Sequence, residues 1–139
     1  MDGQNIANVT EHRLLGLIVD NKFRWQAQIE HVCKSMSKQQ PFLLSQLQHI
    51  ININTRKLFY NIHIKPHIDY ASVMWDGCGE VHLKKLNSLH RRAGRFILPD
   101  PSLFTEQKMS ALGILNLPKQ LTYNKGIFMH KVLNNKSPN

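Results

Sequence analysis

The sequence contains few cysteines, no long apolar run and few acidic residues. Its two cysteines, Cys33 and Cys78, are too few for a disulfide framework and too far apart for the CxxC half of a zinc site. No apolar run approaches the roughly 18–20 residues that span a bilayer. The first residues also lack the basic-then-apolar layout of a signal peptide. We therefore expect an intracellular protein of the cytoplasm or nucleus, with reduced thiols and no membrane partner.

Motifs that carry catalysis are also missing. The chain contains no GxSxG, Walker, GxGxxG or HExxH pattern and no adjacent pair of aspartates. His63 and His67 have the spacing of a helical zinc pair, but a proline between them disfavours regular helical geometry. Asp69 and Asp76 could hold Mg²⁺ only if the fold brought them together, and Cys78 is a weak candidate nucleophile. Structural or surface roles are the simpler interpretation, so the sequence predicts neither a catalytic residue nor a metal site.

Acidic residues are scarce where basic residues are dense. Eighteen Lys and Arg against nine Asp and Glu give a net charge of +9. Residues 81–139 hold ten of the basic residues and only two acids, Asp100 and Glu106, and residues 81–99 hold no acid. Such a charge asymmetry is typical of a surface that meets a polyanion, and we expect nucleic acid as the partner. The alternative is a basic protein whose charge serves only solubility.

A short β-hairpin is predicted near the N-terminus. Residues 13–20 form an apolar, partly β-branched run, and residues 20–22 have the composition of a turn. We expect residues 23–25 to form a brief return strand. Gly16 inside the run indicates a bulge or the close approach of another group to the backbone.

The rest of the chain has helical periodicity, so the predicted fold class is mainly α with that hairpin. Pro41 is expected to start a second helix, because proline suits a first turn and disrupts a helix interior. Asn54 is the expected N-cap of a third helix, which Pro66 should kink or end near residues 63–65. A fourth helix is expected over residues 81–98, and Pro118 should lie where the last helix begins.

The fourth predicted helix has the most specific pattern in the chain. Its apolar stripe comprises Leu86, Leu89, Ala93, Phe96 and Ile97. Its candidate phosphate-binding residues are Lys84, Lys85, Arg91, Arg92 and Arg95. His82 and His90 lie beside them in the sequence. Lys84, Arg91 and Arg95 are seven and four residues apart, so they fall near one line along the helix while the apolar face packs. The alternatives are a solvated basic face, or a helix that lies on a membrane or in a partner's groove.

Several short segments follow one another in an order that a known family shares. They are RLLGLIVD at residues 13–20 with FRWQ at 23–26, LFY at 58–60, IKPHIDY at 64–70, VMW at 73–75, LKKL at 83–86, HRRAGRFI at 90–97 and LGILNLP at 112–118. Together they resemble the C-terminal part of the reverse transcriptases of non-LTR (LINE-type, jockey-like) retrotransposons, over about residues 9–136. The chain departs from the family at residues 12–14, where an aromatic residue usually precedes Leu-Gly, and at His90, where glutamine is common.

The resemblance implies a domain organisation. In this family the first segment is similar to the primer-grip hairpin at the junction of palm and thumb, and Leu15, Gly16 and Leu17 match it. The resemblance therefore implies a polar leader and palm-edge hairpin over residues 1–24. A helical thumb-like bundle would follow over residues 25–98, and a helical extension over residues 99–139.

The resemblance also implies a function. Such a thumb holds the primer–template duplex, RNA–DNA or DNA, through phosphate contacts. The family's polymerase carboxylates, which hold Mg²⁺, precede the primer grip, so we expect no catalytic residue and no cofactor in this chain, no polymerisation by it alone, and an upstream palm and fingers region as a partner. An exposed palm-facing surface would then allow self-association. The alternative is a remnant or co-opted helical module that binds a protein and has no nucleic-acid role.

Overall fold

A computed structural model describes residues 9–47, 49–50, 52–98, 100 and 105–134. Over these residues the chain is mainly α-helical, with one two-stranded antiparallel hairpin near the N-terminus, as predicted. Each of the described helices is too short or too polar to cross a bilayer. The first eight residues of the predicted leader lie outside the described residues, as do residues 135–139.

The hairpin forms earlier in the chain than the sequence predicted. Strand β1 (Glu11–Leu14) pairs with β2 (Leu17–Asp20), so that Leu14 lies opposite Leu17. The two residues between the strands, Leu15 and Gly16, have φ values of 48° and 83°, which is typical of the type I′ turn that matches the twist of paired strands. The predicted turn at residues 20–22 forms, since the Phe23 N–H donates to the Asp20 carbonyl at 3.1 Å, but it leads toward the first helix and does not join two strands. The predicted return strand at residues 23–25 is wrong, and Gly16 is a turn residue and not a bulge.

Asp20 explains why the chain does not continue as a strand after β2. Its carboxylate accepts hydrogen bonds from the backbone N–H groups of Lys22, Arg24 and Trp25, at 2.8, 3.0 and 2.9 Å. The bond from Arg24 is the largest of the causes that lower the pKa of the Asp20 carboxyl. Since these N–H groups are turned toward one side chain, they cannot form a sheet ladder, and the chain enters the first helix instead.

Seven helical segments follow along the described chain: α1 (Gln26–Leu47), α2 (Ile53–His63), α3 (Lys65–Asp69), α4 (Ser72–Trp75), α5 (Glu80–Ile97), α6 (Thr105–Ala111) and α7 (Leu117–Leu133). Helix α1 passes through Pro41, so the prediction that this proline starts a second helix is wrong. An interior proline costs a helix ~3 kcal/mol, and tertiary contacts offset that cost here. Gln40, next to the proline, is buried, and its amide donates to the Leu89 carbonyl of α5 at 2.9 Å.

Helix ends follow the local signals of the sequence, with one shift. Helix α2 is capped by Asn52, whose side-chain oxygen accepts from the N–H groups of Asn54 and Thr55, so the predicted cap at Asn54 is wrong by two residues. The helix ends at His63, as predicted, because proline lacks an N–H and its ring clashes with the preceding turn in a helix interior. Pro66 lies instead in the first turn of α3, where proline is tolerated. Pro118 lies in the first turn of α7, also as predicted.

One cluster of buried side chains draws on every helix from α1 to α7, and α5 packs chiefly against α1 within it. Met109, Leu117 and Leu121 belong to this cluster although they follow the predicted domain boundary at residue 98, and that boundary stays a prediction. Helix α6 approaches α5 closely at Gly94, where a Cβ would lie 3.0 Å from Met109 Cγ. The core therefore holds α6 and α7 beside α5 and determines which residues flank the outer face of α5.

Candidate nucleic-acid interface

Helix α5 separates an apolar face from a basic one, as its sequence predicted. Leu86, Ala93 and Ile97 are buried, while Leu89 and Phe96 are half-buried and pack against the core. The basic residues Lys84, Lys85, Arg91, Arg92 and Arg95 are all exposed. An acidic residue in the first turn and an arginine in the last turn complement the helix dipole. The core thus fixes the helix while its charged face meets the solvent.

The structure divides the five basic residues into two rows. Lys84, Arg91 and Arg95 line one open cavity of about 380 Å³, together with Asn87, Ser88 and Thr105. This grouping agrees with the line that their spacing predicted. The neutral residues were not predicted, and Thr105 could not be, because it belongs to α6 and reaches the cavity only through the packing of α6 on α5.

Lys85 and Arg92 form the second row, which lies roughly 100° around the helix from the first. The guanidinium carbon of Arg92 is 5.8 Å from the centre of the Phe96 ring, which is within the range of a cation–π contact. Lys85 faces α1: burial raises the pKa of the Cys33 thiol, and the charge of Lys85 partly opposes this rise. The two rows therefore present cations over a wide arc of the helix and not along a single line.

Lys84 has an acidic neighbour that can be displaced. Its ammonium nitrogen is 3.7 Å from a carboxylate oxygen of Glu80, and the two side chains are 79% and 88% exposed. Water screens such a pair, so it contributes little stability. A phosphate group in the cavity can replace this partner at small cost.

His90 does not belong to the basic face. Its side chain is fully buried, with Nε2 2.5 Å from the Tyr60 hydroxyl oxygen of α2. Burial lowers the pKa of His90 to about 4, so the ring is neutral at pH 7. Its position was readable from the sequence, since it is four residues from Leu86 and seven from Ile97, on the apolar side of the helix.

The three hairpin residues that the sequence resemblance assigned to a primer grip, Leu15, Gly16 and Leu17, do not share one surface. Leu15 is 83% exposed at the tip, whereas Leu17 packs against the core. The Leu15 carbonyl accepts a hydrogen bond from the Tyr70 hydroxyl, which joins the tip to the end of α3. A Cβ at Gly16 would lie 3.5 Å from Tyr70 Oη, an ordinary contact. The positive φ of the turn, and not lack of space, therefore favours glycine there.

The two carboxylates considered for Mg²⁺ bind α7 instead. Asp69 pairs with Lys65, and one of its oxygens accepts from the amides of Gln120 and Asn124 at 3.1 and 3.0 Å. Asp76 pairs with a lysine of α7, Lys125. The sequence did not reveal this network, because its members are about fifty residues apart.

The remaining candidates for chemistry are in structural positions. The ring of His63 stacks on Phe59, with the ring centres 5.8 Å apart. Cys78 is buried, and burial raises the pKa of its thiol, which disfavours the reactive thiolate. In the part of the chain that the structure describes, no three His, Cys, Asp or Glu side chains are gathered where a metal ion could bind.

No protein-family model, curated protein or solved structure matches this chain. The similarity to reverse transcriptases consequently rests on the sequence segments themselves. The surface of α5 provides a separate basis for a functional argument, because it depends on exposure, charge and packing alone.

Proposed function

We propose that this chain binds a nucleic-acid duplex through its phosphate backbone, with α5 as the contact helix. The observation that carries the proposal is the convergence of Lys84, Arg91 and Arg95 on one open cavity of a helix that the core holds by its opposite face. The resemblance to a reverse-transcriptase thumb supports the same function. It also names the ligand class, a primer–template duplex such as an RNA–DNA hybrid.

The mode of binding follows from the residue types. Lysine and arginine bind phosphates, and each neutralised phosphate releases counterions, so the affinity falls steeply as salt rises. Three to five phosphate contacts correspond to a slope of roughly −3 to −4.5 in a plot of log affinity against log salt concentration. Contacts of this kind position the protein and carry no sequence information, so the duplex is bound by its shape.

Fluorescence anisotropy with a labelled RNA–DNA hybrid tests the proposal. The variant K84E/R91E/R95E reverses the cavity row, and K22E/K34E/K38E is its matched control, with the same change in net charge at exposed positions on other elements. We expect the first variant to lose about tenfold or more in affinity and to have a shallower salt slope, while the control loses far less. Equal losses in the two variants would show that only net charge matters and would contradict the assignment of α5.

We propose no polymerase activity for this chain by itself. The resemblance places the family's catalytic carboxylates before the primer grip, and Asp69 and Asp76 are engaged with α7. Primer extension in Mg²⁺ with the hybrid as substrate is the direct assay, and we expect no extension product. If the wild type and the K84E/R91E/R95E variant both gave an extension product, a contaminating enzyme would be indicated. If the wild type gave a product and the variant did not, the proposed lack of polymerase activity would be refuted.

Protein binding is the second candidate function, and one observation favours it. The second half of α7 exposes a group of apolar side chains, which are Ile127, Phe128, Met129, Val132 and Leu133. Exposed apolar clusters of this kind are typical of interaction surfaces. Sedimentation velocity over a range of concentrations tests self-association through this surface. A chain that stays monomeric and binds the hybrid as proposed would remove the support for this candidate.

A further inference from the structure

The basic cavity of α5 adjoins a second cavity of different character. Lys84 and Asn87 line both. The second cavity, of about 290 Å³, lies between α5 and α7, and its apolar lining residues are Leu83, Leu117, Pro118 and Leu121. Asp76 and Thr122 add polar groups to it. The two cavities are therefore adjacent, one cationic and one apolar, and we refer to the pair as the groove.

Asn87 occupies the boundary between these cavities and has unused hydrogen-bonding capacity. Its side-chain oxygen is buried and has no hydrogen-bond partner among the described residues. A buried acceptor without a partner costs roughly 1–3 kcal/mol, so such groups in native proteins call for an explanation. Because this oxygen is shielded from solvent, a ligand donor reaches it only when the Asn87 side chain rotates toward the groove, and such a donor would supply the missing hydrogen bond.

We propose that this groove holds an unpaired nucleotide at the end of the bound duplex, with its phosphate in the basic cavity and its base in the apolar one. The inference rests on the proposed duplex binding and adds the class of nucleic-acid end that is preferred. A nucleotide combines one anionic group with a flat base whose faces are apolar and whose edge carries donors and acceptors. The groove offers cations at one end and, at the other, aliphatic walls beside the Asp76 carboxylate, which pairs with Lys125.

Only an unpaired base can reach this position. A paired base has its faces stacked and its pairing edge occupied, whereas a single-stranded base can leave the stack and be bound by its faces and edge. A lipid would also combine an anionic group with an apolar one. The carboxylate in the apolar cavity and the volume of about 290 Å³ favour a compact base with polar edges over an acyl chain.

Three forms of one RNA–DNA hybrid test the proposal on the unaltered protein. The first is blunt, the second has one unpaired nucleotide on one strand, and the third has an abasic residue in its place, so that the extra phosphate is present without the base. Since stacking or burial of a base contributes ~1–3 kcal/mol, we expect the overhang to bind roughly fivefold or more tightly than the blunt form. The abasic form should bind like the blunt one.

The outcomes separate this inference from the function on which it rests. Failure of all three hybrids to bind in a salt-dependent manner overturns the duplex function, and the nucleotide site with it. Equal binding of blunt and overhang forms leaves the duplex function intact and overturns the nucleotide site. If the abasic form binds as tightly as the overhang, the gain comes from the phosphate alone, and the base cavity is refuted.

A variant that fills the apolar cavity provides a second test. Thr122 lies on α7 at an exposed position of the cavity wall, so T122W should occupy the space of the base and reduce the ratio of overhang to blunt affinity to about one. The matched control is Y123W on the same helix, where the side chain is 55% exposed and does not line the cavity. The inference is wrong if T122W keeps the preference for the overhang or if Y123W loses it equally.

Discussion

This protein should lose stability between pH 6.5 and pH 4, and replacing His90 by glutamine should abolish most of that loss. The ring of His90 is fully buried, and Nε2 is 2.5 Å from the Tyr60 hydroxyl oxygen. A buried phenol needs an acceptor for its proton, and Nε2 of a neutral imidazole is such an acceptor. The other ring nitrogen, Nδ1, is buried with no hydrogen-bond partner among the described residues. A charged ring would therefore be poorly accommodated.

The size and the sign of the effect follow from proton linkage. Burial lowers the pKa of His90 from 6.5 to about 4. Above pH 6.5 the ring is neutral in both the folded and the unfolded chain, so the full stability is present. As the pH falls from 6.5 toward 4, the unfolded chain binds a proton that the folded chain does not, and the free energy of unfolding decreases. At ~1.4 kcal/mol for each unit of pKa difference, the loss approaches about 3 kcal/mol.

Urea unfolding at a series of pH values measures this loss. The indole fluorescence of the buried residues Trp25 and Trp75 reports the transition. In H90Q the side-chain oxygen can still accept the Tyr60 hydroxyl proton, but nothing titrates at this position. Burial also lowers the pKa of His67, aided by the charges of His31 and His63, and His67 is present in both proteins. The difference between the two pH profiles consequently isolates the contribution of His90 to the free energy of unfolding.

Parallel pH profiles for the wild type and H90Q would refute this reasoning. Y60F provides an independent check, because it removes the hydroxyl that pairs with Nε2, while Nδ1 is already buried with no partner among the described residues. We expect it to lower the free energy of unfolding by ~1–3 kcal/mol at pH 7. Since His90 remains buried in Y60F, the additional loss toward pH 4 should persist.

Three further predictions concern backbone geometry and are measured by urea unfolding. L15N should stabilise the fold by about 1 kcal/mol, because the φ of 48° at this turn residue is unfavourable for leucine and suits asparagine; a lower midpoint would contradict the type I′ turn. D20A should lower the urea midpoint at neutral pH. In the wild type, the stabilisation by Asp20 should be lost as the pH falls below 3.8 and passes the lowered pKa of its carboxyl. Equal acid sensitivity of D20A and the wild type would contradict this. N52A should cost ~1 kcal/mol and N54A less than about 0.5 kcal/mol, and the reverse order would restore Asn54 as the cap.

The features that the sequence predicted correctly depend on residues that are close together in the chain. Pro66 and Pro118 mark helix boundaries because proline fits the first turn of a helix, where its missing N–H costs nothing, and disrupts a helix interior. The two faces of α5 could be read in the same way, since residues three, four and seven apart fall on one side of a helix whatever surrounds it. The row formed by Lys84, Arg91 and Arg95 is a direct result of that spacing.

The wrong predictions concern choices that local preference leaves nearly balanced. Leucine before Gly16 is a poor residue for a type I′ turn, yet the turn forms there, because the hairpin tip is bound by Tyr70 and its second strand packs on the core. Pro41 would end an isolated helix, but burial of Gln40 against α5 keeps α1 continuous. In both cases tertiary contacts outweigh a local preference of roughly 1–3 kcal/mol.

By itself, the sequence determined that the chain is mainly helical, that a hairpin precedes the helices and that one helix is basic on one side and apolar on the other. These are consequences of periodicity and charge, which are local properties. The tertiary structure decided that His90 is neutral beside Tyr60, thirty residues away, and that Asp69 and Asp76 bind α7. It also decided that α6 and α7 flank α5 and form the groove. Burial, pKa and cavity shape depend on which distant segments meet, and spacing along one helix does not specify that.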